Sequence, residues 1–76
     1  MEGLGPGNPL AVNIQLNGEQ KDVETATVAD LVQSLDLPAA ALLVEHNGLA
    51  LRRDEWPLRT LNPGDRIEFI RIVAGG

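Results

Sequence analysis

Residues 12–35 read VNIQLNGEQKDVETATVADLVQSL, and the spacing of their apolar side chains changes halfway along. Over residues 12–16, apolar and polar side chains alternate, which is the pattern of a strand buried on one face. Asn17-Gly18 follows directly, and this dipeptide favours a two-residue hairpin turn because both turn positions adopt positive φ. The first half therefore predicts a strand, a tight turn and a second strand over about residues 20–24.

The second half of this stretch has the period of a helix. The hydroxyl of Thr27 is suited to cap a helix because it can accept a hydrogen bond from a backbone N–H of the first turn. Val28, Leu31, Val32 and Leu35 follow with the i, i+3, i+4, i+7 spacing of one helical face. The sequence predicts one helix here, which ends before the next proline because a residue that precedes proline avoids the helical region.

Beyond the helix, the pattern is shorter and less regular. Residues 42–44 form an apolar run that predicts a central strand, and residues 46–48, His-Asn-Gly, predict the turn after it. The pattern then predicts three further segments. They are a returning strand over residues 49–52, an irregular crossover over residues 53–61 and the last strand over residues 66–73. This order predicts an α+β fold, in which one main helix packs across one face of a mixed sheet of about four to five strands.

Chain length and composition indicate one small folded domain. The chain has 76 residues, and residues 1–9 contain three glycines and two prolines with little that could be buried. We expect residues 1–9 to form a flexible leader, residues 10–73 the domain, and residues 74–76 a C-terminal tail.

Charge and residue types exclude several classes of function. A formal net charge of −5 disfavours nucleic acid, whose phosphates require a basic face, and favours a basic protein partner. The absence of cysteine excludes disulfides and thiolate metal sites, and we expect no metal and no cofactor. No apolar run approaches a membrane span, and residues 1–10 lack the features of a secretory signal, so we expect a cytoplasmic protein without membrane contact.

The last three residues are Ala74, Gly75 and Gly76, directly after the last predicted strand. Glycine has no Cβ, so such a tail can enter a narrow enzyme channel. A carboxylate becomes an acyl electrophile only when its oxygen is made a leaving group; adenylation does this, and a sulfur nucleophile can then displace AMP. The residues leave two interpretations open, a tail that is activated at Gly76 and an ordinary frayed terminus.

Taken together, these features resemble the ThiS family, the sulfur carriers of bacterial thiamine biosynthesis, which have a ubiquitin-like β-grasp fold. The similar stretches cover nearly the whole chain after the leader. They are Asn17-Gly18, Thr27-Val28 with Leu31, residues 44–48, Arg53 with Trp56, residues 64–68, and Gly75-Gly76. Several of these stretches could occur in any β-grasp domain, whereas the spacing of Arg53 and Trp56 is more specific to the thiamine branch.

The resemblance implies a protein cosubstrate and not an enzyme. Gly76 would be adenylated by an ATP-dependent, ubiquitin-activating-like adenylyltransferase and converted to a thiocarboxylate, with sulfur from a donor such as a cysteine desulfurase. Thiazole synthase would receive the sulfur, and Ala74 and Gly75 would occupy the partner's channel. Carriers for molybdopterin or tRNA thiolation use the same tail chemistry, and protein modifiers form isopeptide bonds through such a tail, so these alternatives stay open.

Other candidate residues have structural explanations. His46 has no second histidine or cysteine to form a ligand set, and we expect a solvated turn residue and not a catalytic base. The mixed charges of residues 52–55 are expected to compensate one another in water and not to bind an anion. Trp56 is expected to fill the core and not to stack on a ligand.

The last strand also predicts a docking surface for partner enzymes. If Ile67 and Phe69 face the core, strict alternation places Glu68, Ile70 and Ile72 on the opposite face, which a single helix leaves uncovered. Ile70 and Ile72 would then form an apolar patch beside the tail. Two alternatives stay open: a bulge that turns these side chains inward, or an exposed patch that is tolerated and has no docking role.

Overall fold

The computed structural model of the protein describes residues 11–72. The predicted leader and the predicted reactive tail lie outside the described residues. The predictions for the strands, the helix, the docking surface and the remaining candidate residues fall within them.

Within this part of the chain, five strands form one mixed sheet. They are β1 (Val12–Leu16), β2 (Glu19–Val23), β3 (Leu42–His46), β4 (Leu49–Leu51) and β5 (Arg66–Arg71). The order across the sheet is β2-β1-β5-β3-β4. The pairs β1–β2, β3–β4 and β3–β5 are antiparallel, whereas β1 and β5 are parallel. The strand that leads to the C-terminal tail therefore lies in the middle of the sheet.

The predicted strands are all present, with shifted ends. The second strand begins at Glu19, one residue before its predicted start, and the returning strand ends at Leu51. The strand β3 runs two residues further than predicted and includes His46. The last strand ends at Arg71.

One α-helix, α1 (Val28–Ser34), begins where the sequence predicts. Thr27 has extended backbone angles, and its Oγ1 accepts a hydrogen bond from the N–H of Asp30 at 3.1 Å. This bond satisfies one of the N–H groups that the first helical turn leaves without an intrahelical partner. The buried face of the helix consists of Val28, Leu31 and Val32.

The crossover between β4 and β5 is more regular than predicted, because it contains a 3₁₀ helix over Arg53–Leu58. The side chain of Glu55 accepts a hydrogen bond from the backbone N–H of Arg52 at 2.7 Å, which stabilises the first turn. Trp56 is only 4% exposed and belongs to the core, as predicted.

The core lies against one face of the sheet. Ile14 of β1, Val44 of β3 and Ile67 of β5 are fully buried together with Val28 and Leu31 of α1. Because side chains alternate along a strand, the neighbours of these residues in the sheet point to the opposite face. That face carries both polar and apolar side chains.

Candidate functional site

The central strand β5 is held at its start by the turn that joins β3 to β4. The N–H of Asn47 donates to the carbonyl oxygen of Arg66 at 2.7 Å, and the Asn47 side-chain Oδ1 accepts from the N–H of Arg66 at 2.8 Å. Asn47 has φ of 53°, and Gly48 follows at 84°. Asn47 thus has the left-handed backbone conformation of a turn residue, while its backbone N–H and its side-chain oxygen both hydrogen-bond to the backbone of β5.

The other Asn-Gly turn holds β5 from its opposite edge. Backbone pairing between β1 and β5 extends only to Leu16 and Ile67. Asn17 then donates its N–H to the carbonyl oxygen of Ile67 at 2.9 Å, and its Oδ1 accepts from the N–H of Phe69 at 2.8 Å. With φ of 50°, Asn17 has nearly the same conformation as Asn47. The two turns together fix the strand from which the C-terminal tail emerges.

An apolar patch lies on the open face of the sheet, at the end of β5 nearest the tail. Ile70 is 44% exposed and lies directly opposite Leu43 of β3, which is 49% exposed. Ile72 is 48% exposed, and its N–H bonds to the carbonyl oxygen of Ala41 at 2.7 Å, so the ladder continues without a bulge. We call Leu43, Ile70 and Ile72 the apolar patch. Its docking role stays a prediction.

Sequence reasoning found two of the three patch residues and missed Leu43. Alternation within β5 was enough to place Ile70 and Ile72 on the open face. Leu43 belongs to a run of three apolar residues, in which periodicity does not identify the exposed one. Only the register of β3 against β5 places Leu43 beside Ile70.

Charged residues continue the open face away from the apolar patch. Glu45 lies directly opposite Glu68 in the pairing of β3 with β5. A small groove at this position is lined by Glu45, Gly48, Arg66 and Glu68, which we call the acidic groove. The open face therefore has an apolar half next to the tail and a charged half further along the strands.

The prediction for His46 was wrong: its side chain is not solvated but buried, with 4% of the residue exposed. Its Nε2 lies 2.7 Å from Oδ2 of Asp65, and its Nδ1 lies 3.3 Å from Nε of Arg59. Arginine only donates hydrogen bonds, so Nδ1 is the acceptor and Nε2 carries the proton that it donates to Asp65. Both ring nitrogens have structural partners, which leaves no ring nitrogen free to act as a base.

Asp65 joins this histidine to the base of β5. Its carboxylate accepts hydrogen bonds from the N–H of Asn62 at 2.9 Å and from Nδ2 of Asn47 at 3.1 Å, in addition to His46. Burial raises the pKa of Asp65, but the hydrogen bonds from His46, Asn62 and Asn47 outweigh it and hold the pKa below its ordinary value. The network braces the turn that leads into β5.

The remaining candidates have no chemistry of their own in this structure. Arg52 Nε lies 3.2 Å from Oδ1 of Asp54, and both side chains are largely exposed, so the mixed charges compensate one another in water as predicted. Among residues 11–72, no group of three or more histidine, cysteine, aspartate or glutamate side chains is arranged to hold a metal. No helix in the same range is long and apolar enough to cross a membrane.

Comparison with known proteins agrees with this arrangement. Residues 11–76 match the ThiS family. The chain belongs to the ThiS family.

Solved structures support the same assignment. The crystal structure of a thiamine biosynthesis protein (ThiS) from Geobacter metallireducens is similar, with a TM-score of 0.74 and 32% identity over 86% of this chain and 100% of that one. An NMR solution structure of a thiamine biosynthesis protein from Geobacter metallireducens gives a TM-score of 0.70 and 32% identity over 86% and 88%. The ubiquitin-like β-grasp fold predicted from the sequence is thus confirmed.

A relative with lower sequence identity comes from Trieres chinensis. The uncharacterized protein ycf40 of Trieres chinensis is 27% identical over 62 residues, which are 80% of this chain and 85% of that protein. Its name gives no activity. The ThiS match itself extends through Gly76, the residue predicted to be modified, and so includes Ala74 and Gly75, which are predicted to occupy the partner's channel.

Proposed function

We propose that this ThiS-family chain is the sulfur carrier of thiamine thiazole synthesis, a protein cosubstrate that reacts at the carboxylate of Gly76. The observation that carries the proposal is the family match, which runs from residue 11 through Gly76. Support also comes from the Geobacter metallireducens structures, which are named for thiamine biosynthesis and share 32% identity with this chain.

The chemistry begins with a carboxylate that must be activated. The Gly76 carboxylate attacks the α-phosphorus of ATP in a ubiquitin-activating-like adenylyltransferase, which forms an acyl-adenylate and releases pyrophosphate. Bisulfide then attacks the acyl carbon, and AMP leaves. If a cysteine desulfurase is the donor, its persulfide attacks the acyl carbon instead, and a second thiol then releases the thiocarboxylate as a disulfide forms between the two thiols. The product is a thiocarboxylate on Gly76, whose sulfur passes to thiazole synthase.

The fold serves this chemistry by presenting the tail. The side chains of Asn17 and Asn47, each in an Asn-Gly turn, accept hydrogen bonds from backbone N–H groups of β5. These bonds fix the register of β5, the strand that leads to the tail, against its neighbours in the sheet. Ala74 and Gly75 enter the narrow channel of the adenylyltransferase, where side chains larger than a methyl group have no room. Ile70 and Ile72 form the surface that partner enzymes contact while the tail is threaded.

The test is the intact mass of the chain after incubation with ATP, magnesium, bisulfide and its adenylyltransferase. The expected product has one oxygen replaced by sulfur, and fragmentation places the sulfur on Gly76. A chain that lacks Gly75 and Gly76 is the control and should remain unmodified. An unmodified wild-type chain with a normal thermal melt, under conditions in which the enzyme adenylates a known carrier, would contradict the proposal.

The acceptor pathway is tested separately with the loaded chain. Transfer of sulfur to thiazole synthase is the expected result. Preferential transfer to a molybdopterin or tRNA thiolation system would keep the carrier chemistry but reassign the pathway. Isopeptide conjugates on lysine residues would instead identify a protein modifier.

A further inference from the structure

The acidic groove contains an arrangement that costs stability. Glu45 and Glu68 are directly opposite each other on adjacent antiparallel strands. Cβ atoms of such pairs lie about 4.5–5.5 Å apart, and like charges at this separation are destabilising. Features that lower stability without a compensating structural gain are most often found where a protein functions.

Among the residues that the structure describes, no cation forms an ion pair with either of the two carboxylates. The ion pairs within residues 11–72 join His46 to Asp65 and Arg52 to Asp54. Arg66 lines the same groove but is not paired with Glu45 or Glu68 at ion-pair distance. One positive and two negative side chains leave the groove with one net negative charge.

The groove is continuous with the apolar patch. Glu68 and Ile70 are two residues apart on β5, and Glu45 and Leu43 are two residues apart on β3, so all four side chains share the open face. Two residues along a strand span about 6.6–6.8 Å. A partner that covers the patch therefore places its adjacent side chains over the groove.

We infer that the acidic groove binds a lysine or arginine side chain of the adenylyltransferase, next to an apolar side chain that covers Ile70. This inference rests on the proposed function, in which the adenylyltransferase is the enzyme that binds the chain while the Gly76 carboxylate is still free. The chain arrives with a formal net charge of −5, so a basic contact surface accelerates its association. The cation also removes the repulsion between Glu45 and Glu68 in the complex.

The first experiment measures KM and kcat of adenylation for the variants Glu45→Gln, Glu68→Gln and their combination. Glutamine preserves side-chain size and removes the charge. We expect the double variant to raise KM about tenfold at low ionic strength, with kcat unchanged, because two charge contacts to the partner are lost. Addition of salt should raise the KM of wild type more than that of the double variant.

Glu19→Gln is the matched control, because Glu19 is an exposed carboxylate on β2 at the edge of the sheet. Its KM should stay near the wild-type value. The thermal melt of the double variant should equal or exceed that of wild type, which separates lost binding from lost folding. A wild-type KM in the double variant, or an equal rise in the Glu19→Gln control, would overturn the inference.

A second measurement does not depend on the proposed function. Acetyl-leucyl-arginine amide is titrated into the full chain labelled with ¹⁵N, with acetyl-leucyl-aspartate amide as the control peptide. We expect the amide signals of Glu45, Gly48 and Glu68 to shift with the arginine peptide only, and the double glutamine variant to lose the response. Equal shifts with both peptides, or none, would show that the groove has no preference for a cation.

Discussion

At the scale of single residues, the carboxylate of Asp65 has three hydrogen-bond partners, which come from two separate segments of the chain. It accepts hydrogen bonds from His46 at the end of β3, from Asn47 in the following turn and from the backbone of Asn62. The sequence indicated none of this, since His46 and Asp65 are 19 positions apart. The residues next to His46 in the sequence are the same whether its side chain is solvated or buried. Its role can therefore be recognised only from its contact with Asp65 in the folded chain.

The low pKa of Asp65 makes the stability of the fold depend on pH. Its pKa is lower in the folded chain than in the unfolded chain, where it is about 3.9. The unfolded chain therefore binds the proton more readily, and the stabilisation is complete above about pH 4 and is lost as the pH falls through the lower, folded-state pKa. Urea unfolding at a series of pH values between neutral and strongly acidic measures this loss.

Asp65→Asn should reduce the free energy of unfolding at neutral pH by about 1–3 kcal/mol, because an amide leaves at least one buried donor without an acceptor. The variant should also lose part of the acid dependence. Asp36→Asn is the control, because Asp36 is exposed and asparagine tolerates its φ of 55°. An unchanged acid dependence in Asp65→Asn would contradict this prediction.

Gly75→Val tests the threaded tail. A substitution next to the end of the chain leaves no cavity in the core cluster of residues 11–72, so the thermal melt should be unchanged. A β-branched side chain restricts the backbone next to the reacting carboxylate, and a displacement of about 1 Å can reduce the rate on the order of 100-fold. Mass spectrometry of the acyl-adenylate or thiocarboxylate measures the effect, with Gly75→Ala as the smaller step. Loading of the valine variant at the wild-type rate would contradict threading through a narrow channel.

At the scale of elements, the sequence predicted best what is encoded locally. The Asn-Gly turns, the Thr27 cap and the helical face each depend on residues within a few positions of one another, and the structure confirms them. Contacts between distant strands could not be predicted in the same way. The facing pair Glu45–Glu68 depends on a strand register that no short stretch specifies.

The two Asn-Gly turns should stabilise β5 at different points. Asn17→Gly and Asn47→Gly keep a residue that adopts positive φ and remove only the side-chain amide. We expect each to lower the free energy of unfolding by about 0.5–1.5 kcal/mol for each hydrogen bond lost. Asn47 makes two such side-chain bonds and Asn17 one, so Asn47→Gly should cost more.

Amide hydrogen exchange distinguishes the two anchors. Exchange of the Phe69 N–H should accelerate most in Asn17→Gly, and exchange of the Arg66 N–H most in Asn47→Gly, so each variant is the control for the other. Equal acceleration of both amides in both variants would indicate a general loss of stability in place of local anchoring.

At the scale of the whole molecule, one face of the sheet builds the core and the other is open to partners. Ile70→Glu and Ile72→Glu should weaken binding to the adenylyltransferase and to the sulfur acceptor, because a charge would enter a desolvated interface. Both side chains are nearly half exposed, so the thermal melt should change little. Leu58→Glu is the control, because Leu58 is 78% exposed and belongs to the crossover and not to the patch. Unfolding of both isoleucine variants would assign these residues to the core.

The parallel pairing of β1 with β5 also has a mechanical consequence. A force that pulls residue 76 away from residue 1 acts on the two strands in opposite directions along their length, so their hydrogen bonds are sheared together and are not opened one at a time. An enzyme that pulls the tail into its channel therefore does not separate β5 from β1 one hydrogen bond at a time. Single-molecule extension between residues 1 and 76 should need a higher rupture force than extension between residue 1 and Val23, which opens the β1–β2 hairpin from its free end. Equal rupture forces in the two directions would show that the sheet offers no such resistance.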